Sequence, residues 1–210
     1  MKLLVLGATG KTGQLVLAAA KGAGHDVTVL VRDPARLPSA AGLTVVTGDA
    51  TSVDDLGRAL AGQDAVISVV GGGYSVTSDI ASSVAKALVP AATAAKTKRV
   101  VVLSALGAGD SREKWSTLQK VAIGTVMKAV YNDKEVGDAL VRASDLDYTI
   151  VQPVTFNERP ATGRVELTEL SKLGRVRGFP RIPRADVAQK ILSIAENSGW
   201  SRKTVAVTPG

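Results

Sequence analysis

Gly7, Gly10 and Gly13 are residues whose type and spacing can do chemistry. They stand in the stretch GATGKTG, directly after the apolar run Leu3, Leu4, Val5, Leu6. A short, uninterrupted run of this kind suits a strand buried on both faces. Each glycine then has its own task. The first permits a tight turn, the second lets a pyrophosphate approach the backbone, and the third lets the next helix pack close to the strand. That helix is predicted over residues 12–21. Its free N–H groups and positive dipole end face the turn, where a phosphate fits. Gly10-Lys11-Thr12 also resembles the end of a P-loop. That motif needs a glycine where Val5 stands, which argues against an ATPase.

In a dinucleotide-binding chain the residue ending the second strand sets the ribose chemistry. Arg32 holds that place, and Arg36 follows one turn later. A planar guanidinium grips a 2′-phosphate, so NADP(H) is favoured over NAD(H). The plain alternative is a pair of solvated surface arginines. Asp49 lies just past the third strand, where it could meet an adenine amine or cap the next helix. Gly71-Gly72-Gly73 would allow close backbone approach to a ligand or form a mobile loop. Ser104 ends the fifth strand, which puts a hydroxyl at the sheet edge where such folds bind ligands. It is the best single candidate for substrate contact, its other role being a helix cap. The lone histidine, His25, falls at a helix-to-strand turn away from the phosphate turn and reads as a surface residue.

Further strands are predicted over residues 27–31, 43–47, 65–70, 99–103, 148–152 and 204–207. Helices are predicted over 53–61, 78–97 and 186–197, with Pro90 marking a kink or a break. Apolar residues recur at helical spacing from Trp115 through Leu118, Val121, Ala122, Val126 and Met127, as core, lid or dimer face. A second helical stretch continues to residue 143. Regular alternation of strand and helix implies an α/β fold: a doubly wound, mostly parallel sheet of Rossmann type, forming one domain over 1–210. The irregular segment of about 156–184 holds Gly163, Gly174, Gly178, Pro160, Pro180 and Pro183, with one strand candidate at 164–168. It reads as a small substrate-side annex.

An apolar fraction of 45% is ample for a core, yet no run approaches the length of a membrane span. No cleavable signal pattern precedes the first strand, and the chain has no cysteine. A cytoplasmic protein without disulfides or a Cys nucleophile is expected, and no metal site is indicated. Net charge is +7, but the basic residues are dispersed and aromatics amount to only 3%, too few for stacking single strands. A polyanionic cofactor accounts for part of the charge more economically than nucleic acid does.

The chain resembles an atypical short-chain dehydrogenase/reductase, of the NAD(P)H-binding branch that includes biliverdin-IXβ reductase (NADPH flavin reductase). The resemblance covers most of the chain. It is carried by GATGKTG, by VTVLVRDPARLP at 27–38, by GDA at 48–50, by AGQDAVISVVG at 61–71, by DYTIVQP at 147–153 and by RADVA at 184–188. It implies NADP contacts at Gly7, Thr9, Gly10, Lys11, Thr12, Gly13, Arg32, Arg36, Asp49, Ala50, Val70 and Gly71. It places Ser104 beside the nicotinamide, with Pro153 and Val154 along the carboxamide. The chain also departs from the family. Thr155 stands near where the biliverdin-IXβ type has a histidine. Tyr131 and Lys134 are three apart, whereas the main short-chain family pairs Tyr with Lys four positions on. Lys134 matches a lysine of the isoflavone-reductase-like branch, as a proton donor or carbonyl polariser. A solvated helix lysine is the alternative.

These features imply hydride transfer from NADPH to a flavin, quinone or biliverdin-like tetrapyrrole, with Ser104, Lys134 and Thr155 at the reacting end. Such acceptors take hydride readily and can draw their proton from water, so a missing Tyr acid is tolerable. The partner is then a small molecule, and the chain a monomer or homodimer. The alternative is a non-catalytic NADP(H)-sensing regulator of the same fold.

Overall fold

The computed structural model describes residues 1–71, 79–117, 119–120 and 127–210. Alternation within each strand sets the architecture. In β1 (Lys2–Leu6), Leu3 and Val5 join one apolar core while Leu4 and Leu6 join another on the opposite face. The same division runs through β4 (Ala65–Ser68), β5 (Arg99–Leu103) and β6 (Tyr148–Pro153). A strand covered on both faces has no solvent side, hence the continuous runs of Val, Leu and Ile.

With β2 (Asp26–Val31), β3 (Leu43–Thr47), β8 (Val165–Glu169) and β10 (Lys203–Pro209), these strands form an eight-stranded sheet in the order β3-β2-β1-β4-β5-β6-β10-β8. All neighbours are parallel except β8, which pairs antiparallel with β10. This is the Rossmann-type order, with its switch point between β1 and β4. Two short strands, β7 (Thr155–Asn157) and β9 (Arg181–Pro183), pair in parallel outside this sheet.

Helices cover both faces of the sheet. Val16 and Leu17 of α1 (Lys11–Gly22) and Val187 and Ile191 of α5 (Arg184–Glu196) fill one core. Leu56 and Leu60 of α2 (Val53–Leu60), Leu88 of α3 (Ile80–Ala94) and Val141 of α4 (Lys128–Arg142) fill the other. Ser52 caps α2 by accepting the Asp55 N–H. At the other end of the sheet Arg99 is buried, and donates to Asp147 at 2.9 Å and to the Ile194 carbonyl and the Thr149 hydroxyl.

Some boundaries differ from those expected. β4 stops at Ser68 because Val69 and Val70 turn against Gly7, whose absent Cβ would lie 2.9 Å from the Val69 carbonyl. α3 runs through the exposed Pro90 as a single helix. β7 and β9 are three residues each and too short to leave a periodic signal. Trp115 forms a β-bridge to Val176 rather than opening a helix. The expected apolar positions Leu118, Val121, Ala122 and Val126, and also Gly72 and Gly73, lie outside the described residues.

Gly7 has φ +83°, a left-handed conformation that favours glycine. A Cβ on Gly13 would lie 2.1 Å from the Gly7 carbonyl oxygen, whereas one on Gly10 would lie 3.4 Å from it. Gly13→Ala is therefore expected to destabilise the fold by about 1–3 kcal/mol, as overpacking does, while Gly10→Ala stays near wild type. Urea unfolding of the two variants checks the contrast.

Candidate active site

Parallel strands bring their carboxyl ends to one edge, and the residues that follow them meet there. A cleft of about 290 Å³ opens at this edge. Its floor is the turn from Gly7 to Gly10, closed by the Gly10 N–H on the Gly7 carbonyl at 3.0 Å. Its far end holds Arg32, Asp33, Arg36, Gly48, Asp49 and Ala50, and its near wall holds Val69, Val70 and Gly71. Of the expected cofactor residues, Gly7, Thr9, Gly10, Arg32, Arg36, Asp49, Ala50, Val70 and Gly71 thus share one cleft.

The cleft fits a dinucleotide. Gly10 presents no side chain, and a Cβ there would meet only the Gly7 carbonyl. α1 starts at Lys11 without a side-chain cap, so its first N–H groups are left for a ligand. Arg32 and Arg36 are exposed, and neither guanidinium has an internal partner among the described residues. Asp33 is occupied as the cap of the short turn Pro34–Arg36, accepting from the Ala35 N–H.

Other expected contacts are arranged differently. The Asp49 carboxylate accepts from the N–H and hydroxyl of Thr51, both at 2.9 Å, and Ser52 is the helix cap. The N–H of Asp49 is held by Asp55 at 2.8 Å. That hydrogen bond, then Arg58, keeps the Asp55 carboxyl below its usual range. Gly13 lies beneath the turn. Lys11 and Thr12 face the annex: Lys11 pairs with Glu158 at 3.6 Å, and the Thr12 hydroxyl accepts from Arg184 at 3.0 Å. His25 lies at the opposite edge, between the chain's amino group and Glu196.

A second, water-sized cavity of about 20 Å³ lies beside the cleft and shares Val70 and Val84 with its wall. Ser104 and Lys134 both line it, together with Asp138. Ser104 does not cap a helix. Its hydroxyl donates to Asp138 at 2.7 Å, and Gln152 donates to the same carboxylate at 3.0 Å. Lys134 lies one turn before Asp138 on α4, and its ammonium approaches the Leu103 carbonyl at 3.5 Å. Burial lowers the Lys134 pKa, with Asp138 and Asp133 pulling back. Burial likewise raises the Asp138 pKa, opposed by Ser104, Gln152 and Lys134. Asp133, on the same helix, accepts the N–H groups of Ala81 and Ser82 at 2.8 and 2.9 Å and fixes α4 to the start of α3.

Sequence reasoning missed Asp138 and Gln152. The available signal was an acid four positions after Lys134 on a helix, so that both share a face.

Thr155 does not share the Ser104 cavity. It begins β7 and lines a separate small cavity with Trp115, Gln119, Val154, Val176 and Phe179. Pro153 ends β6 with its carbonyl accepting from the Leu106 N–H, and the Val154 N–H donates to Val207. The annex is held by Asp186, whose buried carboxylate accepts from Thr162 and Gly163. Burial pushes its pKa up, and those N–H groups outweigh it and hold it below the usual range.

Sheet order, switch-point cleft and glycine turn define a Rossmann-type dinucleotide-binding protein. The chain belongs to the NAD(P)H-binding family, whose model matches residues 7–198, consistent with the resemblance to an atypical short-chain dehydrogenase/reductase. It is 30% identical to a Bacillus subtilis protein described as the uncharacterized sugar epimerase YhfK, over 100% of this chain and 95% of that one. Among solved structures, ChuY of Escherichia coli O157:H7, described as an anaerobilin reductase, superposes with TM-score 0.83 at 26% identity, covering 100% of this chain and 97% of that one. The oxidoreductase ylbE of Lactococcus lactis shares the fold with TM-score 0.85 at 24% identity, over 100% and 91% of the two chains.

Among the described residues, no helix is long and apolar enough to cross a membrane.

The Lys134–Asp138 pair makes a testable electrostatic statement. Asp138→Asn removes the charge that holds the Lys134 proton, so the lysine pKa should fall further below its ordinary value. Lys134→Met should raise the Asp138 pKa for the same reason. NMR titration of isotopically labelled lysine and aspartate side chains checks both directions. A Lys134 titration unchanged in Asp138→Asn would show that the two charges do not interact.

Proposed function

We propose that the chain is an NADPH-dependent reductase that delivers hydride to a flavin, a quinone or a biliverdin-like tetrapyrrole. The observation that carries this reading is the adjacency of two spaces. The cavity containing Ser104, Lys134 and Asp138 shares a wall with the cleft that fits the dinucleotide. The likeness to a protein described as an anaerobilin reductase supports the acceptor class.

Within this reading the turn from Gly7 to Gly13 receives the pyrophosphate, and Arg32 and Arg36 receive a 2′-phosphate. Bound NADPH would supply the hydride. The chain supplies orientation and charge. Lys134 holds a proton at Nζ, and burial makes that ammonium a better donor than a solvated one. Asp138 holds the Ser104 hydroxyl and, with it, the end of β5. Pro153 and Val154 would lie along the nicotinamide carboxamide, and Val154 and Thr155 line the annex cavity. No Tyr–Lys pair at the spacing of the main short-chain family is present, which suits an acceptor that needs little acid assistance. A non-catalytic NADP(H) sensor is the second reading, favoured by the Ser104 hydroxyl already being committed to Asp138.

Two measurements test this. Arg32→Asp should weaken NADPH binding by about 1–3 kcal/mol, the loss of a charge-assisted contact, and barely affect NADH. Equal losses for both cofactors by calorimetry would exclude a 2′-phosphate role. Ser104→Ala should slow NADPH consumption with FMN, quinones or biliverdin isomers about tenfold, or ~1.4 kcal/mol, with little change in NADPH affinity. A much larger loss, matched by Lys134→Ala, would indicate a carbonyl substrate that needs a proton donor. Tight NADPH binding without turnover on any acceptor would leave the sensor.

A further inference from the structure

Glu158 makes two ion pairs that bridge the annex to the phosphate turn. Its carboxylate meets Lys11, the first residue of α1, at 3.6 Å and Arg184, the first residue of α5, at 2.9 Å. The two cations are held differently. Lys11 and Glu158 are largely in water, with side-chain exposures of 75% and 57%. Arg184 is only 19% exposed. Its guanidinium lies 4.4 Å from the centre of the Phe156 ring and donates through Nη1 to the buried Thr12 hydroxyl at 3.0 Å. Its Nε and Nη2 edge then faces the Glu158 oxygens. That fork is fixed by its other contacts, and a phosphate matches it as well as a carboxylate does.

We propose that Arg184 is a cofactor-binding residue supplied by the annex, and that Glu158 is an internal anion which the cofactor's pyrophosphate displaces. This rests on the preceding reading only in placing the pyrophosphate at the turn. Thr12 joins the two halves. Its oxygen accepts from Arg184, which leaves its hydrogen to donate toward the turn. A negative charge beside the first turn of α1 opposes an incoming polyanion, and neutralising it removes that opposition. The Arg184 hydrogen bond holds the Glu158 carboxyl below its usual range, so it is ionised whenever a cofactor arrives at neutral pH.

NADPH affinity measured by cofactor fluorescence tests the proposal through the sign of two effects. Glu158→Gln should bind NADPH about three- to tenfold tighter at low ionic strength, with the gain vanishing at high salt. Arg184→Met should bind about tenfold weaker or worse, and Arg184→Lys, which keeps the charge without the fork, should also bind more weakly. Unchanged or weaker binding in Glu158→Gln would reduce the network to a surface ion pair and overturn the proposal. So would wild-type affinity in Arg184→Lys. If Arg184→Met melts early, the other two variants decide. Gly10→Val, which puts a branched side chain into the turn, is the control. If it removes binding while Glu158→Gln changes nothing, only the displacement idea fails. If it too binds normally, the pyrophosphate lies elsewhere and both readings fall.

Discussion

The carbonyl oxygen of Gly7 faces Gly13 so closely that a Cβ would be 2.1 Å away. This approach sets the angle at which α1 leaves the turn and so aims its uncapped first N–H groups. The missing Cβ of Gly7 itself makes room for Val69 and Val70 to turn against it, beside the cleft between β1 and β4. A backbone can approach a ligand only where side chains are missing, and these glycines leave it bare. Gly10 alone of the three would hold a Cβ at an ordinary contact distance, 3.4 Å from the Gly7 carbonyl oxygen.

The small cavity beside the cleft depends on a different constraint. Asp138 and Lys134 bring opposite charges to a small cavity whose other side chains, Ser68 and Ser104 apart, are apolar, and each charge is costly there by itself. The cost is met by hydrogen bonds from Ser104 and Gln152 and by the proximity of the two charges. Such a cluster tolerates little movement. α4 is accordingly fixed to α3 at two points: Asp133 holds the N–H groups of Ala81 and Ser82, and Gly137 lies against the Ala81 carbonyl with a would-be Cβ contact of 3.0 Å.

The annex is attached by charge and by backbone pairing as well as by apolar packing, with Val165 and Ile182 buried in the core. β8 extends the main sheet through β10, Asp186 collects the N–H groups of Thr162 and Gly163, and Arg184 reaches Thr12. The annex is therefore coupled to the glycine turn through the side chains of Arg184 and Glu158.

By itself the sequence determined the sheet and the dinucleotide cleft. Both rest on local signals: the apolar run Leu3 to Leu6, glycines at fixed offsets, and Arg32 at the end of β2 are near neighbours in the chain. It also carried the family likeness from Gly7 to the RADVA segment. It pointed to Ser104, because strand ends follow from periodicity, and to Lys134 through the resemblance to the isoflavone-reductase-like branch. It did not give what those side chains touch. Ser104 meets Asp138 across 34 residues, and Arg184 meets Thr12 across 172. Those pairings have no local pattern, since they arise only when strand order and helix packing bring distant segments together. For the same reason Thr155, two residues beyond β6's last buried position, was expected beside Ser104. Pairing between β7 and β9 carries it to another cavity instead, a choice made by strand partners 26 residues apart and by nothing within the segment itself.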